Sequence, residues 1–266
     1  MTGSQNEFES IILVAIRQKI GVAHRIVVVT HVRPDGDAVG SLLGLGLALQ
    51  AAGKDVQMVL PDGVPSNLCH LEGSERIKLK TEGPVDLTIV LDVSDLPRLG
   101  RALDGYGTPD VCIDHHFTNE KFARLNLVDG DAVATAEIIA RILPDLGLNI
   151  TKPVANALLT GLITDTIGFR TPNVTPSTMR MVADLIDAGG ELSVMYYPAL
   201  DLRTFEGARY WGAGLSRMQK QDGLVWTYLS LDDRKRAGYV GNDDADLINV
   251  LSAIEGTDIA MILVEQ

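Results

Sequence analysis

Three short runs of branched apolar residues, each ending in acids or histidine, constrain this chain more than any other feature. They are "RIVVVTH" (25–31), "DLTIVLDVSD" (86–95) and "DVCIDHH" (110–116). Such runs read as buried strands. "DVQMVLPD" and "ARLNLVD" add two more. Between and around them, apolar residues at helical spacing predict helices in "NEFESIILVAIRQKI", "DAVGSLLGLGLALQAAG", "ATAEIIARILPDLG", "PVANALLTGLITDT" and "TPSTMRMVADLIDAGG". Gly53 is a C-cap for the second of these. Strands alternating with helices predict an α/β fold: a mainly parallel sheet with helices on both faces. In such sheets ligands gather outside the carboxyl ends of the strands, which is where these acids and histidines fall.

After Gly190 the pattern changes. A linker and polar helix lead to a strand ("LVWTYLSLD"), a short charged loop, a helix ("DADLINVLSAIEG") and a strand ("DIAMILVEQ"). The expected division is a catalytic domain over 1–190, a linker and connecting helix over 191–222, and a smaller α/β unit over 223–266. A unit that small is marginal alone. Its last apolar strand leaves an uncovered edge, an aggregation hazard, so the second unit is expected to be incomplete.

Bulk properties exclude several classes. The net charge of -12 repels polyanions and argues against a general nucleic-acid coat; concentrated in a pocket, the same acids would hold divalent cations. Cys69 and Cys112 are far apart and in no CxxC pair, against a disulfide scaffold or zinc ribbon. The polar start "MTGSQNEFES" is no signal peptide, and no apolar run reaches the roughly 20 residues that span a bilayer. A soluble cytoplasmic protein with no membrane partner is expected.

The candidate site gathers His31, Asp35, Asp37, Asp92, Asp114, His115, His116 and Asp165. Alone, "DGD" is a turn and Asp92 a helix cap. On three separate strand ends they form a set. Four carboxylates (Asp35, Asp37, Asp92, Asp165) would repel in one pocket; two dications cancel that charge. Oxygen and nitrogen donors without thiolate suit Mn²⁺, two per chain, with Mg²⁺ or Co²⁺ as alternatives. Two such ions make a site for in-line displacement at phosphorus, with a shared water ionised to a bridging hydroxide. Asp92, on the middle of the three strands, is the expected bridge. His31 and Asp35 are expected to serve one ion and Asp37 the other. Successive residues of an extended segment point oppositely, so His115 is assigned to metal and His116 to the substrate phosphate or leaving oxygen. Asp114 then orients an imidazole through its other ring nitrogen.

Lesser candidates surround this set. Arg98 and Arg170 could each fork onto a phosphate. Ser41 and Thr166 could hydrogen-bond carboxylates or serve helix ends. "DDRKR" (232–236) reads as a solvated loop, Glu137 as the first-turn acid of a helix, and Trp211 and Trp226 as packing residues.

With "HVRPDGDAVGS", "VLDVSD", "IDHH" and "TGLITDTIGF" in order, the chain resembles the DHH phosphoesterases, named for a triplet seen here as Asp114-His115-His116. It is most similar to compact bacterial members that degrade short RNA oligonucleotides and dephosphorylate 3′-phosphoadenosine 5′-phosphate. The resemblance implies a Mn²⁺-dependent hydrolase of phosphoester bonds with ligands on His31, Asp35, Asp37, Asp92, His115 and Asp165, and a second, DHHA1-type domain that binds the substrate nucleotide. Two departures stand out. Such enzymes usually have glycine directly after "TDT", where this chain has Ile167. They also carry a glycine-rich loop ending in histidine that grips the substrate, and no "GGGH" occurs here. A truncated form and a natural short variant both account for that, the unfinished strand favouring truncation. The alternatives to an oligonucleotide phosphoesterase are a cyclic-dinucleotide phosphodiesterase and a nucleotide-binding protein of weak activity. Pyrophosphatase activity is disfavoured because the second unit has no dense Lys/Arg cluster. The uncovered strand and the N-terminal helix leave a homodimer open.

Overall fold

The computed structural model describes residues 2–266, with side chains from residue 10 onward; the first side chains of the helix predicted from Asn6 lie outside the described residues. The chain forms two compact units, Met1–Asp201 and Leu202–Gln266.

In the first unit the elements run α1 (Thr2–Val22), β1 (Arg25–Val29), α2 (Gly36–Ala51), β2 (Asp55–Val59), β3 (Leu87–Leu91), β4 (Val111–Asp114), β5 (Leu125–Val128), α3 (Thr135–Ile142), α4 (Lys152–Asp165), α5 (Pro176–Asp187) and α6 (Leu192–Tyr196). The five strands make one sheet in the order β2-β1-β3-β4-β5, parallel at every pairing. The period-two alternation of β1 divides the core. Ile26 and Val28 join a large cluster with side chains of α1 to α5. Val27 and Val29 join a smaller one with Val90, Val93, Leu99 and Leu103, in which a single 3-10 turn at Leu96–Leu99 and the turns after it form the covering layer. Strand order reverses between β1 and β3: α2 carries the chain outward to β2, and β3 returns on β1's other side. Ligand crevices of open α/β sheets form at such a point, beyond the strands' carboxyl ends.

α2 is buried from Gly36 to Leu49. A helix enclosed on all sides needs small residues where neighbours approach, and its glycines supply them. A Cβ at Gly44 would run into the Leu158 side chain of α4, and one at Gly36 into Thr164. α2 and α4 therefore lie close, with Asp37 in the first turn of one and Asp165 at the end of the other.

The second unit contains α7 (Phe205–Ser216), β6 (Gln219–Gln221), β7 (Leu224–Leu229), α8 (Leu231–Ala237), α9 (Leu247–Ser252) and β8 (Ile259–Val264). Its sheet, β6-β7-β8, is antiparallel at the first pairing and parallel at the second. Tyr210, Val225, Leu229, Leu247 and Leu251 make its core. Along β8, Ala260, Ile262 and Val264 pack on that core, while Ile259, Met261 and Leu263 are exposed. The expected loop over "DDRKR" is instead α8. Ser230 caps it, accepting from the Asp233 N–H at 3.1 Å while the Asp233 carboxylate accepts from the Ser230 N–H at 3.0 Å. Asp233 also takes a forked pair of bonds from Arg217, at 2.7 and 2.9 Å. Acids in the first turn and bases in the last suit the helix dipole. Among the described residues, no helix is long and apolar enough to cross a membrane.

Candidate metal centre

The chain leaves β1 at Val29 and delivers His31 to the sheet's carboxyl edge. The His31 Nδ1 lies 2.9 Å from the Val32 carbonyl oxygen; a proton there leaves Nε2 as a lone pair directed inward. That Nε2 is buried and, among the described residues, has no hydrogen-bond partner. It lies 3.4 Å from Asp92 Oδ2 and 3.7 Å from Asp35 Oδ2. Asp35 is the N-cap of α2: its Oδ1 accepts from the Ala38 N–H at 3.0 Å, which leaves Oδ2 turned toward His31. Helix capping and the candidate site thus use different oxygens of one carboxylate.

Asp37 is buried and held on both oxygens. Oδ2 accepts from the Thr135 N–H (2.7 Å), and Oδ1 from the Ala136 N–H (3.0 Å) and the Ser41 hydroxyl (3.2 Å). The donors at the start of α3 are otherwise unpaired groups of a helix terminus, here spent on an anion. Thr135 also donates its hydroxyl to Asp92 Oδ1 at 3.0 Å. Thr135 was not among the candidates. Of the three contacts that Thr135 and Ala136 make at this start of α3, two come from backbone N–H groups, which any residue has; only "TAE" as a helix start pointed there.

Asp92 follows β3 directly, with the backbone in the left-handed region (φ +59°). Non-glycine residues rarely adopt that conformation, and those that do cluster at functional sites. While Oδ2 faces His31, Oδ1 lies 3.7 Å from His115 Nε2 and 3.6 Å from His116 Nδ1. His115 Nε2 is also 3.5 Å from Asp165 Oδ2. Ligand-type atoms within 4.8 Å of one another fall into His31–Asp35–Asp92, Asp37–His115–Asp165 and Asp92–His115–His116. Six of the eight candidates are covered by the first two groups, and Asp92 appears again in the third.

His115 and His116 were expected to point oppositely. They do not: their ring centroids are 4.5 Å apart, and both face Asp92 Oδ1. β4 ends at Asp114, so strand alternation no longer governs the next two residues. What distinguishes them is the nitrogen turned toward Asp92, Nε2 in His115 and Nδ1 in His116. His116 Nδ1 bonds Asp114 Oδ1 at 2.7 Å, and buried Asp114 accepts on Oδ2 from Asn119 Nδ2 at 2.7 Å. The bond to Asp114 raises the His116 pKa above its ordinary value against the effect of burial.

Arg98 sits in the 3-10 turn, whose carbonyl accepts the Val32 N–H at 2.8 Å, and its charge is felt at both Asp35 and His116. The structure does not bring Arg170 into the cluster: it is exposed, and its Nε donates to the Ile167 carbonyl at 2.8 Å. Ser41 does meet a carboxylate, whereas Thr166 serves the end of α4, donating to the Leu162 carbonyl (2.6 Å) and accepting from the Phe169 N–H (2.8 Å). Ile167, where glycine was expected, has φ +49°. Trp211 donates to the Ala245 carbonyl at 2.7 Å and packs on the core of the second unit. Glu137, buried in the first turn of α3, accepts from the Val133 N–H (2.7 Å) and the Thr178 hydroxyl (3.2 Å).

The charges suit divalent cations. Burial first, then the charges of Asp92, Asp165 and Asp35, push Asp37 well above the carboxylate range. Burial and the charges of Asp92 and Asp35 push Asp165 up to about 6. Burial lowers the His31 imidazole, but Asp35, Asp92 and the Val32 carbonyl outweigh it and raise it to about 10. The cluster thus draws protons to positions where cations would neutralise it better. An unpartnered buried imidazole nitrogen among carboxylate oxygens is a donor set that fits such ions.

Residues 25–162 match the DHH family, N-terminal domain. Over 243 residues the chain is 35% identical to the bifunctional oligoribonuclease and PAP phosphatase NrnA of Thermus thermophilus, covering 90% of this chain and 72% of that one. It is 25% identical to NrnA of Bacillus subtilis, over 93% and 80%. In fold it resembles an exopolyphosphatase-related protein from Bacteroides fragilis, at 24% identity and a TM-score of 0.86, covering 93% of this chain and 78% of that one. With its acids and histidines joined at the β1/β3 switch point, this chain belongs to the DHH family.

Proposed function

We propose that this chain hydrolyses short RNA oligonucleotides and 3′-phosphoadenosine 5′-phosphate with the help of two divalent cations, Mn²⁺ being the ion its oxygen and nitrogen donors suit. As a DHH-family protein it is a hydrolase acting on phosphoester bonds. The finer substrate reading leans on its likeness to proteins named as oligoribonucleases and PAP phosphatases.

One observation carries the two-cation reading: Asp92 turns one oxygen toward His31 and the other toward His115 and His116. His31, Asp35 and Asp92 would hold one cation, and Asp37, His115 and Asp165 the other, with Asp92 reaching both. Bound there, the ions would supply an ionised water at neutral pH and positive charge against the phosphoryl oxygens. The remaining work belongs to the chain. Thr135, Ala136 and Ser41 fix Asp37. Asp114 holds a proton on His116 Nδ1 and favours the cationic ring, which could contact a phosphate oxygen and donate a proton to the leaving oxygen. Arg98 adds positive charge beside Asp35 and His116. Residues 1–190 would form the catalytic domain, 191–222 the connection, and 223–266 part of a DHHA1-type substrate-binding domain.

The test is turnover by the purified, Mn²⁺-loaded chain of a ribodinucleotide, 3′-phosphoadenosine 5′-phosphate, a cyclic dinucleotide and pyrophosphate. Turnover of either of the first two is expected. Activity confined to the cyclic dinucleotide or to pyrophosphate would replace the proposal, and no metal uptake after Mn²⁺ loading would remove its basis.

A further inference from the structure

Phe117 follows His116 and is 89% exposed, the most exposed of the described phenylalanines. A single apolar side chain in water is ordinary on a protein surface. This one stands on a built platform. The Asn119 N–H donates to the His116 carbonyl at 3.0 Å, closing a tight turn with Phe117 and Thr118 at its corners. Turn corners favour small or polar residues, and this corner holds a benzyl group instead. The turn is pinned from below. The Asn119 amide donates to Asp114 Oδ2 (2.7 Å) and to the Val93 carbonyl (2.9 Å), and its oxygen accepts from the Lys121 N–H (2.7 Å). The Glu120 N–H donates to the Ser94 carbonyl at 2.9 Å. Gly130 leaves room beside Phe117: a Cβ there would come within 3.3 Å of the Phe117 Cβ. These bonds fix the backbone that carries the ring, and the ring itself stands open to water.

We infer that Phe117 stacks on a nucleobase of the substrate, so that the site selects phosphoesters carrying a base over base-free ones. The inference rests on the proposed function for the phosphate's position beside His116. An open aromatic face accepts any base, because every base has a π-face, and stacking of this kind is a main source of affinity for single strands. Because Asn119 already anchors the turn, binding orders the Phe117 side chain without also having to order its backbone. The same Asn119 that anchors Asp114 beneath His116 anchors Phe117 above it, so the proton-holding pair and the stacking ring share one support.

The experiment compares Phe117→Ala, Phe117→Tyr and the unaltered chain, all Mn²⁺-loaded, binding AMP and ribose 5-phosphate by titration calorimetry. These two ligands share a phosphate and a ribose and differ in the base. Phe117→Ala should weaken AMP by about tenfold or more, the factor expected from losing one stacking contact, and leave ribose 5-phosphate unchanged. Phe117→Tyr should keep the affinity for AMP. With a ribodinucleotide, Phe117→Ala should raise KM with kcat unchanged. Unaltered AMP affinity in Phe117→Ala, or an equal loss for both ligands, would overturn the inference. If no oligonucleotide is turned over, the proposed function fails while the comparison of AMP with ribose 5-phosphate still decides the role of Phe117.

Discussion

Gly40 of α2 and Gly161 of α4 bring two helix backbones into direct contact: a Cβ at Gly40 would lie 2.4 Å from the Ala157 carbonyl oxygen and 2.8 Å from the Gly161 nitrogen. The contact matters because of what stands one turn away on each helix, Asp37 before Gly40 and Asp165 after Gly161. A Cβ at Gly161 would itself lie 2.8 Å from Asp37 Oδ1. Backbone atoms cannot swing aside as a side chain can, so Gly40→Ala must push the helices apart. It is expected to destabilise the first unit by about 1–3 kcal/mol, seen as a lower urea midpoint, and to weaken Mn²⁺ binding in calorimetry. An unchanged midpoint would show that the helices separate freely.

Asp92→Asn separates charge from shape. Asparagine tolerates the left-handed backbone better than most residues and can still accept from the Thr135 hydroxyl. The substitution removes one negative charge from a crowded cluster, so the metal-free protein should melt at the same temperature or higher. Added Mn²⁺ should no longer raise the melting temperature as it does for a protein that binds it. Turnover of any working substrate should fall by about a thousandfold or more, the scale of several kcal/mol of lost charge stabilisation. Activity near that of the unaltered chain would end the bridging role.

Much of this was legible in the residues, and the rest was hidden for definable reasons. The parallel sheet could be read because strands buried on both faces are spelled as unbroken branched runs, as in Ile26–Val29. The acids could be read because His31, Asp92 and His115 each close such a run. The anchoring of Asp37 was not legible, since the N–H groups of Thr135 and Ala136 carry no side-chain signature. The common orientation of His115 and His116 was missed because the strand stops at Asp114, two residues short of the run read from the sequence. In "DDRKR", charge density masked a helix whose signal is the spacing of Ser230 and Asp233.

Ile167 offers a test of a departure visible in the sequence itself. A β-branched residue at φ +49° is strained, and its side chain is exposed, so little packing would be lost with it. Ile167→Gly should relieve a left-handed strain of about 1–2 kcal/mol, partly offset by glycine's greater freedom in the unfolded chain. A net gain of about 0.5–1 kcal/mol is expected from those terms, measured as a higher urea midpoint. A loss of stability would mean that the Ile167 side chain holds the loop after Asp165 in place.

Asp114 and His116 give the pH dependence. The 2.7 Å bond between them raises the His116 pKa, so the cationic ring survives to higher pH than a free histidine would. If that ring donates the proton to the leaving oxygen, activity is lost as pH rises through its pKa. Asp114→Asn removes the charge that favours the cation, lowers the His116 pKa, and should shift the alkaline limb of the kcat profile to lower pH. His116→Ala should lower kcat by about a hundredfold or more, the usual contribution of a positioned proton donor, and flatten that limb. The fold should survive both changes, since Asn119 still donates to the Val93 carbonyl and keeps the turn closed. An alkaline limb that stays in place in Asp114→Asn would remove the proton from His116 and leave it a contact for the phosphate alone.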